Sequence, residues 1–314
     1  MVKSRKSIIT SPSLLLLAIW LMGCVSTPPP PAIAPPEEAS QPAPVLVEER
    51  DLVYATVDGK QLLLDLFYLK NARQKLPLVV FIHGSEHSFY MANKVNFYYT
   101  AQEAAKRGYA AASIAFRTTA EKAEGKSKYE FPAQVHDVKC AIRWLRANAA
   151  RYSIDAGRVA AVGWSSGGCL ALMLGLTDPS CGLEGDCGGL SISSRVQAVV
   201  NLAGETDAAM GYRISPPYYT LYLGGSPEKS PERYKIASPV TYVSADDPPV
   251  LSLIGGEDAR LPQVELLDAA LEKAAVPHSL IVVPGASHYM DKVIDFTKDG
   301  PVWEFLDRSL RSGG

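Results

Sequence analysis

An excess of charge of either sign is missing from this sequence. Thirty-one Lys and Arg stand against 33 Asp and Glu, for a net charge of -2, and no basic stripe runs along any segment, which argues against nucleic acid as the main partner. There is no internal repeat, which sets aside stacked-repeat architectures. After residue 24 no run is long and apolar enough to span a bilayer, which sets aside a helical membrane-spanning body. Histidine is scarce, five in all, so a reaction needing an imidazole base has few residues to draw on. What is present is a 47% hydrophobic chain of 314 residues, enough for one large α/β domain or two small ones.

The ends differ from the middle. Lys3, Arg5 and Lys6 precede a short apolar run, Leu14 to Met22, closed by Leu21-Met22-Gly23-Cys24. This arrangement resembles the lipobox of bacterial lipoprotein signal peptides. The resemblance implies that residues 1–23 are a signal peptide, that cleavage falls before Cys24, that Cys24 carries lipid, and that the protein sits on the cell envelope, on the outer membrane or periplasmic face in a Gram-negative host. Residues 24–48 are proline-rich with few large apolar groups, so they read as an extended tether that buries no core. The folded domain is expected over residues 49–314. In an exported chain, Cys181 and Cys187, which share a Gly-rich loop, are expected to pair, with Cys140 and Cys169 as buried thiols in apolar helices.

The most informative stretch runs from Val159 to Leu174, where a short apolar strand passes through Gly163-Trp164-Ser165-Ser166-Gly167 into an apolar helix. A strand that turns within a few residues into a helix strains the corner residue and leaves its side chain standing clear. Ser165 is that corner. Gly163 and Gly167, two residues either side, are positions where a Cβ would clash.

Around this stretch, strands and helices alternate. A hairpin is expected at Leu52 to Val57 and Gln61 to Tyr68 around Asp58-Gly59. Strands follow at Leu78 to Ile82, Tyr109 to Phe116, Val196 to Leu202, Val250 to Leu253 and Ser279 to Val283. Helices are expected at Ala92 to Arg107, Ala133 to Arg151, Pro262 to Ala275 and Val302 to Arg311. The alternation predicts an α/β fold with a mostly parallel central sheet and helices on both faces. Chemistry in such sheets collects at strand carboxyl ends, and four of those ends carry reactive residues: His83-Gly84, Ser165, Asp258 and His288.

Taken with Phe131 to Val138, Ser238 to Val243, Asp247 to Leu251 and Pro284 to His288, these motifs resemble the α/β-hydrolase family over nearly all of residues 50–310. Within it, the small carbohydrate-acetyl or feruloyl esterases and the lipase/esterase relatives are the most similar. The resemblance implies a small cap insertion and a metal-independent, cofactor-free serine hydrolase that cleaves a small-molecule ester or an acylated carbohydrate through an acyl-enzyme. It leaves open a peptidase of the prolyl-oligopeptidase type, and a silent envelope protein that keeps the fold as a binding surface.

A serine hydroxyl is a weak nucleophile and needs a base, which itself needs an orienting group. By position after the last strand the base is His288. The acid belongs between Ser165 and His288: Asp258 matches the family's Gly-x-x-Asp-x-x-x-Pro loop, with Asp207 as the rival and Asp246 and Asp247 as turn formers. The oxyanion donors are expected from Ser166 and from Gly84 or Ser85. Glu86 and His87 depart from the family's Gly-rich loop; Glu86 is expected either to pair with Arg117, at the end of the neighbouring strand, or to point into solvent. The tyrosines at 212, 218, 219 and 222 read either as a substrate-stacking wall or as ordinary packing.

Overall fold

The computed structural model describes residues 43–84, 94–119, 121–123, 126–187, 191–288 and 295–311. Cys24, the signal-like segment, Ser85, Glu86 and His87 lie outside them.

The chain opens with a long hairpin, β1 (Val45–Val57) and β2 (Lys60–Lys70), turning at Asp58 and Gly59, both with positive φ. β1 begins inside the segment expected to be tether, because Leu46 and Val47 find partners in Leu69 and Tyr68. Next come β3 (Leu76–Ile82), α1 (Tyr98–Lys106), β4 (Ala110–Ile114) and a two-residue pair, β5 (Lys122–Ala123) and β6 (Lys126–Ser127). α2 (Ala133–Ala147), β7 (Ile154–Trp164), α3 (Ser166–Leu176) and β8 (Ala198–Leu202) complete the first half of the motif order. Three short helices follow β8: α4 (Ala208–Ile214), α5 (Pro216–Leu223) and α6 (Pro231–Ile236). β9 (Val250–Gly255), α7 (Leu261–Lys273), β10 (His278–Val283) and α8 (Pro301–Leu310) end the chain.

Among the described residues the main sheet runs β1-β2-β4-β3-β7-β8-β9-β10. β1, β2 and β4 pair antiparallel in succession, and every pairing from β4 through β3 and β7 to β10 is parallel. Because strand side chains alternate, Leu78, Val80 and Ile82 join one buried cluster with α2 and α3, while Val79 and Phe81 join the other with α1 and α8. Burial on both faces explains why these strands read as unbroken apolar runs. Every residue of α3 is buried, so it shows no amphipathic stripe. The architecture is that of an α/β hydrolase.

The two glycines beside Ser165 are there for space. A Cβ on Gly163 would stand 1.9 Å from the carbonyl oxygen of Gly167, and one on Gly167 would stand 2.1 Å from that of Ile82. The start of α3 therefore passes against the end of β3, and that contact brings the His83-Gly84 segment to the nucleophile.

The cysteines differ from expectation. Cys140 bonds Cys187, their Cα atoms 5.6 Å apart, whereas Cys181 is a free, half-buried thiol and Cys169 a buried one. The expected Cys181–Cys187 pair rested on nearness in sequence. Instead the loop is laid along α2: Lys139 and Arg143 both hold Glu184, and Arg143 Nε donates to the Cys187 carbonyl oxygen at 3.0 Å. That clamp presents Cys187 to Cys140, while Cys181 sits in a short 3-10 turn started by Asp178.

Candidate active site

Ser165 follows β7 at the turn into α3 with φ 55° and ψ -126°, a strained backbone for a residue with a Cβ. Its N–H donates to the Leu202 carbonyl oxygen at 2.9 Å and its own carbonyl oxygen accepts from Gly168 and Cys169, so the corner is fixed from both sides. Asp258 stands in the loop between β9 and α7, and His288 in the loop after β10. His288 Nε2 lies 3.0 Å from Ser165 Oγ, and His288 Nδ1 lies 2.7 Å from Asp258 Oδ2. The Trp164 indole stacks on the His288 ring, centroids 5.7 Å apart. The structure thus joins the three residues singled out in the sequence into one hydrogen-bonded line.

Asp207, the rival acid, is elsewhere: it caps α4, its Oδ1 accepting from the Met210 N–H at 2.8 Å. Ser166 is the first residue of α3, at the end where the backbone N–H groups of a helix point along its axis toward the nucleophile's corner. Gly84 is close enough that a Cβ on it would meet the Trp164 carbonyl oxygen at 2.9 Å and Ser165 Cβ at 3.0 Å, which puts its backbone beside the nucleophile. His83 is buried, stacks on Phe116 and points Nδ1 at the Gly84 carbonyl oxygen. Burial lowers its pKa to about 4, so it stays neutral at working pH.

Glu86, the partner expected of Arg117, lies outside the described residues. The Arg117 guanidinium grips the buried Asp137 carboxylate at 2.9 and 2.7 Å and approaches Asp58 at 3.5 Å. That carboxylate comes from the first turns of α2.

The sequence reading missed the brace behind Asp258. The Arg260 backbone N–H donates to Asp258 Oδ1 at 2.9 Å, and the Arg260 guanidinium stands 3.6 Å from the same oxygen. Its Nε is in turn held by Glu205 Oε1 at 2.9 Å. Burial pushes the Asp258 carboxyl up, but the hydrogen bond with His288, the Arg260 N–H and their charges outweigh it and hold the group below its ordinary value. Only the presence of an Arg two residues after the acid hinted at this. Glu205 and Cys169 also border a cavity of about 20 Å³ along the first turns of α3, shared with Ser166, Gln134, Tyr219 and Tyr222. The Cys169 thiol there is pushed far up by burial and then by Glu205, which keeps it protonated and leaves the nucleophile to Ser165.

The BD-FAE family model matches residues 64–271, about two thirds of the sequence. The chain belongs to the BD-FAE family. The match takes in Ser165, Asp258, Arg260 and Glu205 and stops short of His288. A curated relative is the esterase LipC of Mycobacterium tuberculosis, 27% identical over 266 residues, 81% of this chain and 62% of LipC. The chain thus spans less than two thirds of that relative's length. Among solved structures, a truncated carbohydrate esterase from gut microbiota superposes with a TM-score of 0.67 at 28% identity, covering 77% of this chain and 89% of that one. A bifunctional GH43-CE protein of Bacteroides eggerthii gives 0.71 at 28% identity, covering 85% of this BD-FAE chain and 38% of the other.

Proposed function

We propose that this protein is a serine carboxylic-ester hydrolase that removes a short acyl group from a carbohydrate through an acyl-enzyme. The observation that carries the reading is the line Ser165 Oγ, His288 Nε2, His288 Nδ1, Asp258 Oδ2, with both contacts within 3.0 Å. The carbohydrate esterase neighbour supports the substrate class. The cavity of about 20 Å³ next to Ser166 supports a short acyl group over a bulky one.

In this reading His288 Nε2 takes the hydroxyl proton as Ser165 Oγ attacks the ester carbon. The developing oxyanion faces the Ser166 N–H and the backbone at Gly84. Asp258, ionised because its hydrogen-bond donors outweigh burial, keeps the proton on Nδ1 and stabilises the imidazolium. His288 then hands its proton to the departing sugar oxygen, leaving an ester on Ser165, and the same imidazole activates water to release the acid and free the serine.

The test is a fluorophosphonate probe together with a panel of p-nitrophenyl esters, acetylated sugars, feruloyl esters and peptide amides. Labelling at Ser165, turnover of acetylated sugars, and loss of both in Ser165→Ala are expected. A Ser165→Ala protein that keeps its activity excludes the mechanism, and preference for amides moves the protein to the peptidases.

We further propose that Cys24 anchors the protein to the cell envelope through lipid, a reading supported by the lipobox-like Leu21-Met22-Gly23-Cys24. Cys24→Ser protein should leave the membrane fraction. Wild-type protein that is soluble with an unmodified Cys24 would refute this.

A further inference from the structure

The loop from the end of β2 to the start of β3, Lys70-Asn71-Ala72-Arg73-Gln74-Lys75, carries three cations and no acid. All three are exposed, and none makes an ion pair or a side-chain hydrogen bond among the described residues. The loop is nonetheless fixed: Asn71 turns it with φ 63°, and Arg158 Nη2 donates to the Lys75 carbonyl oxygen at 3.0 Å. Residues 72–75 form one wall of a cleft of about 880 Å³, which Pro44, Arg158 and Arg311 also line. The acid of the cleft, Asp155, is held by Arg158 at 2.8 Å, and Arg311 is held by Asp307 at 2.8 Å. Those pairs cancel, so Lys70, Arg73 and Lys75 set the sign of this surface.

Topology puts this surface at the end of the sheet opposite the nucleophile. β1 and β2 are antiparallel, as are β2 and β4, so β1 starts where the parallel strands begin, whereas Ser165, Asp258 and His288 follow strand carboxyl ends. Val45 pairs with Lys70 and is 55% exposed, so the chain enters the domain beside the three cations with an apolar side chain in solvent. A proline-rich chain running from Cys24 to Pro44 can reach at most roughly 60 Å, at about 3.1 Å per residue. Lipid on Cys24 therefore keeps this end of the domain close to a bilayer, at an effective concentration in the mM range. Near an anionic surface each Lys or Arg strengthens binding about fivefold, and three together about 100-fold, enough for a surface that is already tethered.

We infer that Lys70, Arg73 and Lys75, with Val45, form a docking surface for anionic phospholipid headgroups, which lays this end of the sheet on the bilayer and turns the Ser165 end away from it. This rests on the Cys24 anchor proposed above. The fit is one of charge: headgroup phosphates accept from ammonium and guanidinium groups that have no partner of their own, and exposed Val45 adds apolar contact at the headgroup boundary. The active site then draws its esters from the aqueous side and not from the bilayer.

The experiment follows hydrogen exchange of the backbone amides at residues 70–75. Wild-type protein from the membrane fraction is reconstituted in vesicles of phosphatidylcholine alone or with about 30 mol % phosphatidylglycerol. Exchange should be slower by about threefold or more on the anionic vesicles, and about 1 M salt, which screens charges beyond about 3 Å, should abolish the difference. The triple variant Lys70→Gln, Arg73→Gln, Lys75→Gln should exchange alike on both vesicles and keep wild-type kcat/KM on a small acetyl ester, which establishes that it is folded. Equal wild-type exchange on the two vesicles, slowing that persists in the triple variant, or slowing at residues 256–261 instead would each overturn the docking surface. So would the same slowing by inorganic phosphate without vesicles, which would make this a site for a free anion. Wild-type protein absent from the membrane fraction would sink the anchor and the docking with it, an outcome distinct from those four.

Discussion

Replacing Asp258 by Asn changes one oxygen into an NH2 group and leaves the shape almost intact, so it isolates the chemistry of the acid. In the wild type both oxygens accept: Oδ2 from His288 Nδ1 at 2.7 Å, and Oδ1 from the Arg260 N–H at 2.9 Å with the Arg260 guanidinium 3.6 Å away. An amide has one oxygen for these two donors. Turning its NH2 toward Arg260 would set donor against donor beside a full positive charge that Glu205 holds in place. The amide oxygen therefore goes to Arg260 and the NH2 to His288. That forces Nδ1 to accept and Nε2 to carry the proton, so Nε2 donates to Ser165 Oγ and has no lone pair for the serine proton. The wrong tautomer of a triad histidine costs about 10⁴ in kcat, which is about 5 kcal/mol of barrier. The assay is kcat/KM on a small acetyl ester, beside the rate of fluorophosphonate labelling and a thermal melt to establish that the variant is folded. A folded Asp258→Asn enzyme within tenfold of wild type would refute the tautomer argument, and one impaired less than Asp207→Asn would move the acid to position 207.

Other outcomes follow from the same geometry. Asp207→Ala should lose the cap on α4, lowering stability by about 1 kcal/mol in urea unfolding while kcat/KM on the acetyl ester stays at the wild-type level; a collapse of activity without loss of stability would contradict the cap assignment. His83 stays neutral when folded down to about pH 4, whereas the unfolded chain protonates near 6.5, so its contribution is complete above that value and is lost as pH falls through 6.5 toward 4. Between pH 7 and 5 the wild type should lose about 2 kcal/mol more than His83→Gln does, and equal losses in the two proteins would refute the assignment. A non-reducing peptide map should find Cys140 joined to Cys187 with Cys181 alkylatable; closing 47 residues of chain, this bond is worth about 4 kcal/mol by chain entropy, a loss to be read from Cys187→Ser. A map joining Cys181 to Cys187 would show the loop to be clamped differently.

The fold and the chemical line were legible because both are written in short-range patterns. Unbroken apolar runs mark strands covered on both faces. Gly163 and Gly167 mark a corner where two backbones nearly touch, and the order Ser165, Asp258, His288 follows strand ends that a parallel sheet gathers at one edge. The pairings made across the fold were not legible, since nothing local marks them. Cys140 meets Cys187 rather than remaining a lone thiol because Arg143 and Lys139 pull the Glu184 loop onto α2. Arg117 meets Asp137 because α2 crosses its strand end. Glu205 and Arg260, 55 residues apart, meet because β8 and β9 are neighbours in the sheet, and Gln134 of α2 lines the same cavity as Glu205, which lies in the loop after β8. The sequence by itself determined which residues strain, alternate and turn. The tertiary structure alone decided which distant side chains share a space, since a buried charge or acceptor is satisfied by whatever lies within hydrogen-bond reach, and that distance is fixed by packing.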